Sequence, residues 1–324
     1  MKAAVVKAPG NGPVYADFEE PVAKSGQTIV TVSASALSQL TKSRASGSHY
    51  SSEGSFPAIA GTDGVGRTAE GQRVYFVLPE APFGALAEKS LVETQHCIPL
   101  PKHLDDITAA AIANPGMSAW AAMVERARLK AEETVLVNGA TGSAGRLAVQ
   151  LAKYLGAGKV IASARNEREL EEVKALGADV VIPFAPDTSD PRGTKQYEQA
   201  LMAEFAHGID IVLDYLWGES ARTIIIALAK SVEDAEPVRF VHVGGASGAQ
   251  SIDLPGAALR SSAIVLMGSG AKSVRPSALF GAIRNVFEAT VPAKLQIATK
   301  IIPLSQVEEY WSAPGKPRVV CTLG

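Results

Sequence analysis

Short runs of consecutive apolar residues alternate with helical patterns between about residue 134 and residue 270. The first run, Thr134–Asn138 (TVLVN), is apolar at successive positions, which is typical of a strand buried on both faces. A glycine-rich turn follows, and Leu147, Leu151 and Leu155 then recur at helical spacing. Gly156 marks the predicted end of that helix.

The same alternation continues along the chain and predicts five more strands and three more helices. Repeated strand–helix units require right-handed crossovers, so the strands form a parallel sheet with helices on both faces. Six strands match a complete dinucleotide-binding sheet, and the predicted fold class is therefore α/β with a doubly wound Rossmann sheet. The further strands are expected at 159–164, 180–182, 209–213, 240–243 and 264–267, and the helices at 167–176, 197–206 and 220–230.

The two ends of the chain have a different pattern. Residues 1–115 contain short β-rich pieces broken by Gly, Pro and Ser, which predict an irregular, mainly antiparallel β domain. An amphipathic helix is expected at 276–290 and a last strand at Arg318–Thr322. If this strand joins the N-terminal sheet, residues 1–115 and 273–324 form one discontinuous domain around a dinucleotide-binding domain at 116–272.

Composition narrows the functional classes. The formal charge of −2 and the pI of about 6.3 imply no basic face, which disfavours nucleic acid as the main partner. The chain begins without the apolar core of a secretory signal. Cys97 and Cys321 are the only cysteines, which fits a reducing cytoplasm and excludes a multi-cysteine zinc site. These features predict a cytoplasmic protein.

One uncharged stretch, 107–124, is nearly long enough to cross a membrane. Asn114, Pro115 and Gly116 lie at its middle, and most of its other residues are alanine, which is only weakly apolar. We therefore expect a buried helix, a break and a second helix, with no membrane partner.

The turn after the first buried strand carries the most informative motif. It reads NGATGSAG, in which Ala140, Gly142 and Gly145 occupy the glycine positions of the dinucleotide fingerprint. Gly142 would let the backbone approach a diphosphate, and Gly145 would let the helix pack closely on the strand. Because the N-terminus of a helix attracts anions, the cofactor-binding residues at this turn are expected to be Thr141, Gly142, Ser143, Ala144 and Gly145.

The end of the second strand indicates which dinucleotide is bound. NAD-binding sheets carry an acid there that accepts hydrogen bonds from the ribose 2′-hydroxyl. This sequence reads VIASARNER, with Ser163 and Arg165 in that region and no acid before Asn166. A guanidinium group can bind a 2′-phosphate through paired, charge-assisted hydrogen bonds. The predicted cofactor is NADP(H), held in part by Ser163 and Arg165.

These motifs resemble those of the zinc-independent medium-chain dehydrogenases/reductases, in the quinone oxidoreductase-like branch that includes enoyl reductases. The resemblance runs from MKAAVV through FPAIAGTDGVG, GQRVYFV, NPGMSAWAAM and NGATGSAG to KALGADVVI and HVGGASG. It implies a GroES-like catalytic domain, a substrate cleft between two domains and a homodimer joined at 264–267. It also implies further cofactor-binding residues at Ser118, Tyr215, Val243, Gly244, Gly268 and Ser269.

The chain departs from its zinc-using relatives at the metal ligands. Those relatives carry Cys near the position of Ser38 and Gly-His-Glu where this chain has Gly61, Thr62 and Asp63. One carboxylate cannot hold a catalytic zinc, so no metal is expected. Quinone reductases usually have Asn and Asp where Ser38 and Thr41 stand, which weakens an assignment to quinones specifically.

The resemblance and the missing Lewis acid together predict hydride transfer from NADPH to a quinone or an α,β-unsaturated carbonyl. Tyr50 is the expected hydrogen-bond donor to the substrate, with Ser38 and Thr41 as weaker ones and His49 as a possible proton relay. Two alternatives stay open: an NADP(H)-binding sensor or structural protein that has lost turnover, and a nucleic-acid-binding protein of the same fold.

Overall fold

The computed structural model describes residues 1–47, 56–184 and 191–323. Contacts divide the chain into two compact units, Met1–Asn114 with Ile297–Gly324, and Pro115–Gln296. The first boundary between the units, at 114/115, lies beside the one expected at 115/116. The second boundary, at 296/297, lies well beyond the expected 272/273, so the helix predicted at 276–290 falls in the second unit.

The elements of the first 127 residues are mostly short strands. Two of them, of two and three residues, are little more than isolated pairings. In chain order they are β1 (Lys2–Val6), β2 (Val14–Asp17), β3 (Gln27–Ala36), α1 (Gln39–Ala45), β4 (Ala58–Ile59), β5 (Asp63–Arg67), β6 (Arg73–Val77), β7 (Lys89–Glu93), a 3₁₀ turn (Thr94–His96), β8 (Cys97–Pro99), α2 (Asp106–Trp120) and a π-helical segment (Ala121–Ala127).

Strands and helices alternate in the following region, and the chain ends in two further strands. The alternating elements are β9 (Thr134–Asn138), α3 (Ser143–Tyr154), β10 (Lys159–Ala164), α4 (Glu167–Lys174), β11 (Val180–Pro183), α5 (Pro191–Phe205), β12 (Ile211–Asp214), α6 (Gly218–Ser231), β13 (Pro237–His242), α7 (Gly256–Arg260), β14 (Ala263–Gly268) and α8 (Pro276–Ala289). The last elements are β15 (Thr299–Pro303), a 3₁₀ turn (Leu304–Gln306), α9 (Val307–Tyr310) and β16 (Arg318–Thr322).

The second unit is a Rossmann domain. Within the described ranges, its six strands pair in parallel in the order β11-β10-β9-β12-β13-β14. Numbered within the domain this order is 3-2-1-4-5-6, which confirms the predicted doubly wound sheet. The order in which successive strands are added to the sheet reverses between β9 and β12. Ligands of such sheets bind beyond the carboxyl ends of the strands at this switch point.

The core of this unit explains why its strands are apolar at every position. Helices α5 and α6 cover one face of the sheet and pack their apolar stripes against it. The buried side chains of that face include Leu136, Val212, Phe240, Tyr197, Phe205, Ile224 and Leu228.

The first unit contains two mainly antiparallel sheets among its described residues. Strands β2-β1-β4 form one, and β15-β16-β3-β5-β6-β8 form the other, with β7 also paired to β3. Strand β16 pairs antiparallel with β3, so the end of the chain joins the N-terminal sheet as predicted. This pairing brings the start of β16 to the end of β3. Just beyond β3, Leu37 N–H donates to the Val319 carbonyl at 2.9 Å.

The predicted break at 114–116 is wrong. Helix α2 continues through Pro115, and a π-helical segment follows it directly. A proline inside a helix removes one backbone hydrogen bond. The buried alanines before and after Pro115 stabilise the helical conformation more than that loss costs.

Within the described ranges, Asp106–Ala127 is the one helical stretch long and apolar enough to cross a membrane. Most of its apolar window is buried inside the protein. Burial of this kind is typical of a core helix.

Candidate active site

Three glycines shape the turn between β9 and α3, and the conformation and packing of the turn require glycine at two of these positions. Gly139 has a φ of +89°, which side chains rarely adopt. A Cβ atom at Gly145 would lie 2.3 Å from the Gly139 carbonyl oxygen and 2.6 Å from Ala140 Cα. Gly145 is therefore needed for the close packing of the helix on the turn.

Gly142 has no such internal reason to be glycine. Its φ of −70° suits any residue. A Cβ atom there would meet only the Gly139 carbonyl oxygen, at an ordinary 3.5 Å. Open space lies in front of this backbone, at the N-terminus of a helix without a capping side chain or an acid in its first turn. These residues fit the diphosphate of a dinucleotide.

Ser163 positions this turn from behind. Its carbonyl oxygen accepts hydrogen bonds from Gly139 N–H (2.8 Å) and Ala140 N–H (3.0 Å). Its side chain is fully buried, and its hydroxyl shares a 2.7 Å hydrogen bond with Tyr197 Oη. The exposed side chain of Arg165 follows directly after β10. No carboxylate lies at the end of this strand, where NAD-binding sheets hold one.

Four more predicted cofactor residues, Val243, Gly244, Gly268 and Ser269, lie at or beyond the carboxyl ends of β13 and β14. Val243 N–H and Gly244 N–H both donate to the Asp214 carbonyl oxygen, at 2.7 and 3.2 Å. Ser269 N–H donates to the His242 carbonyl at 2.8 Å. A Cβ atom at Gly268 would meet nothing within 4 Å, so the space beside it is open.

Ser118 and Tyr215, both expected from the resemblance to bind the cofactor, lie beside each other. Ser118 lies in α2, and its hydroxyl donates to the Pro115 carbonyl at 2.9 Å. Tyr215 follows β12 and is buried. Burial raises the pKa of the Tyr215 hydroxyl, and the neighbouring Ser118 side chain lowers it. The Tyr215 hydroxyl itself has no hydrogen-bond partner among the described residues.

Sequence reasoning missed a polar network at the switch point itself. The Asp214 carboxylate is fully buried and accepts a hydrogen bond from Asn138 Nδ2 at 2.8 Å. It also accepts hydrogen bonds from the backbone N–H groups of Leu216 and Trp217. His242 Nδ1 lies 2.9 Å from the same carboxylate. Asn138 Nδ2 also donates to Ser220 Oγ at 3.0 Å. The network fixes the ends of β9, β12 and β13 relative to one another. A polar residue at the end of each of these strands is the signal that could have revealed it.

Two of the three predicted catalytic residues are hydrogen bonded to each other in the first unit. Ser38 precedes α1, and its Oγ accepts from Thr41 N–H at 2.9 Å and lies 2.9 Å from Thr41 Oγ1. Thr41 Oγ1 lies 3.4 Å from Thr62 Oγ1. The third residue, Tyr50, and the neighbouring His49 lie outside the described residues.

Thr62 connects this pair to a buried acid that the sequence did not single out as catalytic. Its hydroxyl donates to Asp63 Oδ1 at 2.6 Å, and Tyr75 Oη donates to Asp63 Oδ2 at 2.8 Å. Arg318 is buried as well, and its charge acts on Asp63. Burial raises the pKa of Asp63, although Thr62, Arg318 and Tyr75 each lower it.

A cavity of about 370 Å³ lies beside these hydroxyl groups. Thr41 and Thr62 are among the residues that line it, together with the apolar residues Phe56, Ile59 and Phe83. A small pocket with an apolar wall and a few polar groups suits a small organic molecule.

Comparison with known proteins agrees with this picture. Residues 144–279 match the zinc-binding dehydrogenase family. The chain is 26% identical to the probable NADPH-dependent quinone reductase tdiC of Emericella nidulans, over 92% of each chain. It is 32% identical to the chloroplastic NADPH-dependent alkenal/one oxidoreductase of Arabidopsis thaliana, over 52% of this chain and 47% of that one.

A solved structure covers the whole chain. The quinone oxidoreductase of Thermus thermophilus, also solved in complex with NADPH, is 26% identical over 100% of both chains with a TM-score of 0.79. The matched family, the relatives and the fold together support a medium-chain dehydrogenase/reductase of the quinone oxidoreductase-like branch.

The name of the matched family raises the question of zinc, which these residues do not fit. Ser38 and Thr62 stand where zinc-using relatives carry Cys and His, and the Thr62 hydroxyl donates to Asp63. The described part of the chain contains no group of three or more His, Cys, Asp or Glu side chains that could hold a metal. Hydroxyl groups are poor zinc ligands beside thiolate and imidazole.

Proposed function

We propose that the protein is an NADPH-dependent, zinc-independent reductase of quinones or α,β-unsaturated carbonyl compounds. The observation that carries the proposal is the open space in front of Gly142 at the N-terminus of α3. The relatives named above act with NADPH on quinones or on alkenals and enones, which supports both halves of the proposal.

The residues of the second unit would bind and orient the cofactor. The turn at Gly142 would receive the diphosphate, and Arg165 would bind the 2′-phosphate. Ser118, Tyr215, Val243, Gly244, Gly268 and Ser269 would line the nicotinamide half. When bound, the reduced nicotinamide supplies a hydride. A conjugated acceptor spreads the developing negative charge onto its oxygen, which suits a site with hydrogen-bonding groups and no metal.

The test follows NADPH absorbance against a panel of quinones, enones and saturated aldehydes, with and without a chelator. We expect oxidation with the first two classes only, and no effect of the chelator. Binding of NADPH without oxidation by any acceptor would contradict the proposal and favour a sensor instead.

Replacement of Arg165 by alanine should raise the KM for NADPH about tenfold or more and leave the KM for NADH nearly unchanged. The reason is that a charge-assisted hydrogen bond contributes roughly 1.5–3 kcal/mol, and only NADPH carries the 2′-phosphate. Steady-state kinetics with both nucleotides measures the effect. Arg284→Ala, which removes another exposed charge, on α8, is the matched control. Equal effects on both nucleotides would remove Arg165 from the cofactor site.

We also propose that two copies of the chain pair through β14. This strand ends the sheet order, and Val265 and Leu266 on it are 46% and 40% exposed. An exposed apolar edge strand is a template for pairing with another chain.

Replacement of Leu266 by glutamate should therefore convert the protein to a monomer, as measured by light scattering after size exclusion. Val22→Glu is the control, since Val22 is an exposed apolar residue elsewhere in the chain. An unchanged mass for Leu266→Glu would rule out this interface.

A further inference from the structure

The buried hydroxyl groups of the first unit have a fixed hydrogen-bond direction when Asp63 is ionised. The Thr62 hydroxyl group has a single proton, which it donates in a hydrogen bond to Asp63 Oδ1. Thr62 can then only accept from Thr41, and Thr41 in turn can only accept from Ser38. The hydroxyl protons of Ser38, Thr41 and Thr62 therefore all point along the chain of hydrogen bonds toward the carboxylate. In this state neither Thr41 nor Thr62 can donate to a molecule in the cavity that they line.

Protonation of Asp63 allows these hydroxyl groups to donate into the cavity. The carboxyl group can then donate to Thr62, which frees the Thr62 proton for Thr41 or for an occupant of the cavity. We propose that Asp63 supplies the proton that completes reduction of the acceptor, passing it through Thr62, and through Thr41 beside it, into the cavity. This inference rests on the proposed reductase function and assigns its proton path.

Tyr75 and Arg318 suit the state that follows proton transfer. Tyr75 Oη donates to the second carboxylate oxygen, and the charge of Arg318 also favours the ionised form. Arg318 Nε and Nη2 are buried and have no hydrogen-bond partner among the described residues, so its charge is balanced mainly through space. Among the described residues, Tyr75 and Arg318 are the titratable groups that act on Asp63. Ser35, on β3, donates to the Asp63 backbone carbonyl at 2.8 Å.

The step balances in atoms and electrons. The acceptor receives two electrons and one hydrogen as the hydride, and one proton on its carbonyl oxygen from Thr62. The Asp63 O–H bond breaks, Thr62 regains a proton from Asp63, and Asp63 is left as a carboxylate. A quinone becomes a hydroquinone, an enone becomes the enol of the saturated ketone, and a proton from solvent restores Asp63. The 3.4 Å separation of Thr41 from Thr62 is the longest link, so the shorter path through Thr62 alone carries most of the transfer.

Asp63 acts through Thr62 and is a positioning residue, so its test needs a readout beyond loss of activity. An acid must be protonated to act, and kcat should therefore fall as pH rises through the pKa of folded Asp63. Burial raises that pKa above the usual carboxyl range. Asp63→Asn should lower kcat about 100-fold and abolish this alkaline limb. Tyr75→Phe removes a group that lowers the pKa of Asp63, so it should move the limb to higher pH.

A second pair of variants covers the case that Asp63→Asn fails to fold. Thr62→Val keeps the shape of the side chain and removes its hydroxyl, and it should lower kcat as Asp63→Asn does. Thr62→Ser should restore most of the rate. Ser90→Ala is the control, since Ser90 is a buried hydroxyl on β7 without a hydrogen-bond partner among the described residues.

The decisive experiment measures kcat against pH for the whole chain with saturating NADPH and the best acceptor of the panel. The relay is overturned if the alkaline limb persists in Asp63→Asn, if it stays in place in Tyr75→Phe, or if Thr62→Val turns over like the wild type. No turnover by the wild type with any acceptor would overturn the proposed function and the relay with it. Wild-type turnover with an unaffected Asp63→Asn profile would overturn the relay alone.

Discussion

The Gly142→Ala variant is expected to be as stable as the wild type and to bind NADPH about 100-fold more weakly. The added methyl group meets only the Gly139 carbonyl oxygen at 3.5 Å, and alanine adopts a φ of −70° without strain. It would, however, fill the space in which the backbone approaches the diphosphate. Loss of one or two hydrogen bonds to a charged group, at roughly 1.5–3 kcal/mol each, accounts for the expected change in affinity.

Gly145→Ala is the matched control, and it should instead lower the stability of the fold. Its methyl group would lie 2.3 Å from the Gly139 carbonyl oxygen and 2.6 Å from Ala140 Cα, so backbone atoms must move. Overpacking of this kind costs about 1–3 kcal/mol of folding free energy. Thermal unfolding and a fluorescence titration with NADPH separate the two effects. A wild-type dissociation constant for Gly142→Ala would contradict the assignment of this turn.

The Rossmann domain could be predicted from sequence because its strands are buried on both faces. Strands β9 and β10 have the predicted limits, Thr134–Asn138 and Lys159–Ala164, since each is a continuous apolar run bounded by turn residues. Strand β12 begins later than predicted, at Ile211 rather than residue 209. Asp210 N–H donates instead to the Thr134 carbonyl, which places it at the entry to the strand.

The candidate proton path could be predicted only in part. Ser38 and Thr41 follow one strand within a short segment, so a local motif identified them. Asp63, Tyr75 and Arg318 lie on three different strands and meet only because β16 pairs with β3 and β5 pairs with β6. Local periodicity contains no information about such pairings. The departure from the zinc motif at Thr62 and Asp63 is visible in the sequence, but by itself it argues only against a zinc site.

The network around Asp214 escaped notice for a related reason. From sequence Asp214 is simply an acid at the end of a strand, whereas the fold places three donors and the His242 ring around its carboxylate. Trp217 is held there with a φ of +62°, a strained value for a large side chain. Its N–H group donates to Asp214, and its ring packs on the His242 ring with centroids 4.6 Å apart. These contacts offset the strain.

Replacement of Asp214 by alanine should therefore lower the free energy of unfolding by about 3 kcal/mol or more. Buried donors left without an acceptor cost about 1–3 kcal/mol each, and the strained turn at Trp217 would lose the acceptor that holds it. Urea unfolding followed by tryptophan fluorescence measures the change. Asp210→Ala is the matched control at the other end of β12. It removes an acceptor of one backbone N–H, from Thr134, at a partly exposed position, and should cost about 1 kcal/mol. Equal losses in the two variants would mean that the Asp214 network does not hold the switch point together.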